Sequence, residues 1–125
     1  MWSVHFANET VEKEFLGLPP EMQARLFWIE ELIVSHGLHN VGMPYLRHVQ
    51  DDIWEIRLAG KDRVGRGLYV ALSGKRVVVL RFFVKKTQKT PRKEMKTAIE
   101  RLRCLQDETV KRSETKAPGE SRGKS

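Results

Sequence analysis

Cysteine is all but missing: Cys104 stands alone in the chain. One thiol cannot close an intramolecular disulfide, which excludes the small stapled scaffolds of secreted proteins and points to a reducing compartment. Cys104 sits between Leu102 and Leu105 in a helix-forming stretch, so a buried or half-buried structural thiol is expected. Long hydrophobic runs are lacking too, and none approaches the roughly 18 to 20 residues of a membrane-spanning helix. The opening Met1-Trp2-Ser3-Val4-His5 has no basic-then-apolar layout of a secretion signal, so a cytoplasmic location is expected. The acidic residues form no clustered carboxylate site and the four histidines show no ligand spacing. No metal and no cofactor are therefore expected.

What is present is charge, unevenly placed. Residues 1–50 hold 3 Lys/Arg against 6 Asp/Glu, whereas residues 51–125 hold 20 against 10, so local balances of −3 and +10 underlie the net +7. The second half is built to face a polyanion, which raises affinity and association rate for nucleic acid without specifying a fold. With 125 residues the chain makes one domain, and a folded part of roughly 105 to 110 residues buries about two-thirds of its unfolded surface.

Periodicity lays out the elements. Trp2, Val4 and Phe6 alternate with Ser3 and His5 as in a short strand. Asn8 offers a helix N-cap ahead of Val11, Phe15 and Leu16, and Gly17-Leu18-Pro19-Pro20 breaks that helix. From Pro20 to His36 the apolar positions Met22, Leu26, Ile29 and Ile33 form one stripe, stopped by Gly37. This helix, roughly 25 Å long, can cross a small sheet from edge to edge. Residues 38–52 read as a loop with a short extended piece at 45–49. Three strands follow. Residues 53–59 and 67–72 alternate, and 77–84 is nearly continuously apolar and expected to be central with both faces covered. The final helix, from Pro91 to about Asp107, carries Met95, Ala98, Ile99, Leu102 and Leu105 on one face. Residues 109–125 offer one aliphatic side chain larger than alanine, too little to offset ordering entropy. The expectation is an α+β fold in the order β-α-α-β-β-β-α, a small, largely antiparallel four-stranded sheet with two N-terminal helices and one C-terminal helix. Its folded domain spans residues 1–108, and 109–125 is a basic disordered tail.

The densest signal is Phe82-Phe83-Val84-Lys85-Lys86-Thr87-Gln88-Lys89-Thr90-Pro91, where an apolar strand ends in a burst of positive charge at a helix start. Thr90 can cap that helix and Pro91 suits its first position. The cations then crowd the positive end of the helix dipole, which calls for an anion such as a phosphate.

This phrase, together with Ile53-Trp54-Glu55-Ile56-Arg57 in an earlier strand, resembles the signatures of the phage-derived HigB-like branch of the RelE/ParE superfamily of type II toxins. The resemblance covers almost the whole folded part. It implies a ribosome-dependent mRNA endonuclease that inhibits translation and is neutralised by a small helix-turn-helix antitoxin of the HigA kind. Two departures stand out: the family often has an aromatic residue near the arginine that opens its third strand, whereas here Gly65 precedes Arg66, and the basic tail lies outside the usual pattern.

Cleaving RNA by its own 2′-hydroxyl needs a base, positive charge on the phosphorane and an acid for the leaving oxygen. Arg57, Arg66, Lys85 and Lys86 are the catalytic candidates, since the ends of adjacent antiparallel strands can bring them together. The arginines suit bidentate phosphate contact, and either crowded lysine suits proton transfer. Lys89, Thr87 and Gln88 suit flanking phosphates or riboses, with Lys61 and Arg47 as further RNA contacts. His5, His36 and His39 read as structural, and His48 is the histidine left open to substrate. Tyr69 is expected on the polar face of the sheet, and Trp28 and Trp54 in packing. Two other functions fit the same residues: a ParE-like gyrase poison and a nonenzymatic nucleic-acid-binding module.

Overall fold

The computed structural model describes residues 1–85 and 90–115. In chain order its elements are β1 (Ser3–Phe6), α1 (Glu9–Leu16), α2 (Pro20–His36), a 3-10 turn (Leu38–Asn40), β2 (Leu46–Gln50), β3 (Ile53–Ala59), β4 (Val64–Leu72), β5 (Arg76–Lys85) and α3 (Arg92–Thr115). One five-stranded sheet runs β1-β5-β4-β3-β2, with β1 parallel to β5 and every other pair antiparallel.

Local chemistry sets the helix ends. The Asn8 side-chain oxygen accepts from the Val11 N–H at 3.0 Å and so caps α1. Pro20 opens α2, where a missing N–H costs nothing. Gly37 closes it at φ +88°, its N–H donating to the Ile33 carbonyl at 2.8 Å, a conformation that L side chains rarely adopt.

Helices cover both faces of the sheet. On one face the buried stripe of α2 joins Val11 and Phe15 of α1 over Ile56, Leu58, Tyr69, Val77, Val79 and Phe82. Phe82 lies 5.4 Å from Phe6 and 5.5 Å from Phe15 between ring centres. Full burial of such a ring contributes about 1.5–3 kcal/mol. On the other face Met95 and Ala98 of α3 cover Leu68, Val70, Val78, Leu80 and Phe83. Strand β5 thus has both faces covered, as its apolar run implied, although β4 takes the middle position.

Several expectations need correction. The sheet has five strands rather than four, because the extended piece before the Asp51-Asp52 turn pairs with β3, Leu46 opposite Ile56 and Arg47 opposite Glu55. Strand β4 starts at Val64, so the basic loop between β3 and β4 is shorter than residues 60–65, closed by the Gly60 N–H on the Arg63 carbonyl at 2.9 Å. Pro91 is not the first residue of α3 but precedes it, its carbonyl accepting from the Glu94 and Met95 N–H groups. That helix continues to Thr115 instead of stopping near Asp107, in keeping with the good helix formers Lys111, Arg112 and Glu114 of that stretch. Cys104 is exposed, not buried, because α3 turns Leu102 and Leu105 inward. Tyr69 belongs to the core beneath α2 rather than to a polar face, and burial pushes its phenol well above the ordinary value of 10.0. Among the described residues no helix is long and apolar enough to cross a membrane.

Candidate functional site

Helix α3 lies over β5 and β4, so its face of the sheet turns polar toward β3 and β2. Strand alternation then puts Arg47 of β2, Glu55 and Arg57 of β3 and Arg66 of β4 on that one face, with Arg47 opposite Glu55 and Arg57 opposite Arg66. Glu55 is the hub. Its carboxylate is 0 % exposed and accepts from the Arg66 guanidinium at 2.6 Å and from the Thr90 hydroxyl at 3.3 Å, with Arg47 Nη2 at 3.4 Å. Thr90 therefore serves the sheet cluster, not the helix cap expected of it.

Arg66 and Arg47 pair with the one carboxylate, and Arg57 on the same face leaves the cluster positive. Burial lowers the Arg66 pKa below its ordinary value; Glu55 opposes the fall, and Arg57 and Arg47 add to it. Arg66 remains a cation in this setting, as arginine does in proteins. It is only 1 % exposed, so it forms the floor of the cluster. Arg57 is half-buried, and its Nε is buried without a hydrogen-bond partner among the described residues.

The other sequence-named residues fall into three groups. Lys85 ends β5 with its backbone opposite Val64, at the same end of the sheet as Arg57 and Arg66. Lys86, Thr87, Gln88 and Lys89 lie outside the described residues. Lys61 is exposed in the β3–β4 loop. Arg47 joins the cluster more closely than a flanking contact would require. His48, its neighbour, projects to the opposite face, where it meets Trp54 at 5.3 Å and bonds the Asp51 carbonyl at 2.7 Å; it does not approach the cations. Trp54 is 40 % exposed and packs against the His48 ring next to the edge strand β2. Among the described residues no group of His, Cys, Asp or Glu has a metal-binding arrangement.

Sequence reasoning missed Glu55 as the organiser. The signal was present, because residues two apart on a strand share a face, which sets Glu55 beside Arg57. It also missed a second ionic cluster that straps α1, β5 and α3 together. Arg81 reaches Glu14 at 2.6 Å and Glu94 at 2.7 Å, while Arg101 holds Glu14 at 2.9 Å and the Leu80 carbonyl at 2.9 Å. The extra residue at Leu80, between the pairs Leu68–Arg81 and Tyr69–Val79, places Arg81 between the two helices.

Residues 13–103 match the family described as Phage derived protein Gp49-like (DUF891). Among solved structures, a mutant of the Escherichia coli toxin RelE in the free state superposes with a TM-score of 0.54 at 18% identity, covering 81% of this chain and 97% of that one. No curated relative matches the chain. The span of the family match and the strand-helix order it encloses place this chain in the Gp49-like family of phage-derived proteins, with a fold of the RelE toxin type.

Proposed function

We propose that this protein is the toxin of a type II toxin–antitoxin pair and that it arrests translation by cutting mRNA on the ribosome. The reading rests above all on Arg57 and Arg66 lying side by side on β3 and β4 around a buried carboxylate. Preorganised cations of this kind stabilise a phosphorane more than a relaxed phosphodiester. The half-buried Arg57 is the guanidinium offered to the phosphate, and Arg66 sets the field beneath it. Glu55 is occupied by its donors and acts as the orienting group. Proton transfer from the 2′-hydroxyl and to the leaving 5′-oxygen then falls to Lys85 and Lys86. Lys89, Thr87, Gln88 and Lys61 would hold flanking RNA or ribosomal RNA, the partner is a HigA-like helix-turn-helix antitoxin, and the site of action is the cytoplasm.

The test is induction of the chain alone, followed by mapping of mRNA 5′ ends on purified programmed ribosomes. Growth arrest with translation failing before replication is expected, and Lys86→Ala or Arg57→Ala relieves it with a cleavage loss of about 10²–10³-fold. Intact messages alongside collapsed DNA supercoiling would replace this reading with gyrase poisoning.

A further inference from the structure

Beside the arginine cluster, between the edge strand β2 and the first turns of α3, runs a groove of about 420 Å³. Its floor is apolar, made by Val49, Met95 and Ile99. Its helical wall carries Arg92, Lys96 and Arg103. These three and Ile99 follow one another at steps of four, three and four, which keeps them on one side of α3. All three cations are exposed, and Glu100 is the one carboxylate in the lining. Thr90 lines the groove and donates its hydroxyl to Glu55, so groove and cluster are continuous.

We propose that this groove is the track for the RNA strand on one side of the scissile phosphodiester, binding several nucleotides through their backbone; the proposal rests on the RNA-cleaving reading above. Arg92 and Lys96 are separated by about 6 Å along the helix axis and Lys96 and Arg103 by about 10 Å, the scale of one to two nucleotides in an extended strand. A positively charged groove that tracks the backbone is how proteins hold single strands without reading their sequence; here the wall supplies the charge and an apolar floor takes the place of aromatic stacking platforms. The thioether of Met95 and the aliphatic side chains of Val49 and Ile99 accept the face of any base. Continuity with the arginine cluster favours RNA over an acidic peptide, because a strand whose phosphate sits at Arg57 must leave the cluster along the sheet, and this groove opens from it.

The experiment uses the full chain with non-cleavable 2′-O-methyl oligouridylates, one long enough to fill cluster and groove and one too short to reach the groove. Affinity is measured by fluorescence anisotropy over a range of KCl concentrations for the natural sequence, for the triple variant Arg92→Gln, Lys96→Gln, Arg103→Gln and for Lys96→Glu, with thermal melts to confirm folding. The triple variant is expected to narrow the affinity advantage of the long oligomer. Its slope of log K against log salt should fall by about two to three, near one for each lost phosphate contact. Lys96→Glu should weaken the long oligomer in the same direction. An unchanged slope, or an equal loss for both lengths, overturns the proposal. So does a triple variant that keeps its RNA affinity but loses affinity for a polyglutamate peptide, which would give the groove to a protein partner. A chain that shows the expected slope yet leaves messages intact on the ribosome retains the groove and loses the cleavage reading, whereas cleavage with an unchanged slope does the reverse.

Discussion

Arg66 donates to Glu55 at 2.6 Å with both side chains shut away from water. Each ion in such a pair is costly to bury, and removing one strands the other. The pair lets β3 and β4 carry opposed arginines at Arg57 and Arg66, an arrangement that repulsion would otherwise disfavour.

Glu55→Gln keeps the shape of the hub and removes its charge, stranding Arg66 in the interior. A stability loss of about 3–5 kcal/mol is expected, measured by urea unfolding. Arg66→Met in the same chain should recover part of that loss, because the stranded charge goes with it. A double variant as unstable as the sum of the single ones would show that the two residues are not coupled.

Arg57→Ala separates function from folding. The guanidinium is repelled by Arg66 opposite it and has no carboxylate of its own among the described ion pairs. Its removal should leave stability unchanged or raised by up to about 1 kcal/mol, while cleavage falls steeply. Loss of folding in step with activity would make Arg57 a structural residue.

Acid should loosen the strap between α1, β5 and α3. Burial acts to raise the Glu14 pKa, but the bonds from Arg101, the Phe82 N–H and Arg81 outweigh it and hold the carboxyl below its ordinary value of 4.5. A carboxylate depressed in the folded state adds stability that is complete above its unfolded value and is lost as pH falls through the folded one. Natural protein should thus lose stability below about pH 4.5 more steeply than Glu14→Gln, as read from denaturation midpoints across that range. Parallel curves for the two proteins would contradict the role of Glu14.

Two glycines of β4 should differ in tolerance. A Cβ on Gly67 would stand 2.9 Å from a Phe82 ring carbon, and one on Gly65 2.6 Å from the Met22 sulfur. A ring wedged between Phe6 and Phe15 cannot yield, whereas a thioether can swing aside. Gly67→Ala is expected to cost about 1–3 kcal/mol and Gly65→Ala less, with Met22→Leu changing only the second. The closeness of Met22 gives a steric reason for glycine at position 65.

The legible part of the site was its composition, and the illegible part was its wiring. Arg57 and Arg66 were recognisable from strand ends rich in positive charge, and Arg47 and Lys61 as nearby cations. That Arg66 is a buried floor, Arg47 a member of the cluster and His48 excluded from it depends on register, which pairs Arg47 with Glu55 and His48 with Trp54. A shift of one residue would exchange those two faces.

Taken alone, the order of residues determined the starts and stops of α1 and α2, the alternation of β3, the two-faced apolar character of β5 and the concentration of cations where β5 ends, since caps, periodicity and charge runs act over a few neighbours. Tertiary structure alone decided that residues 46–50 pair as a fifth strand, that α3 covers β5 and β4, and that Glu55 becomes the counterion of Arg66. Those outcomes come from contacts between elements, whose free energy depends on which surfaces meet and not on the pattern within any one of them.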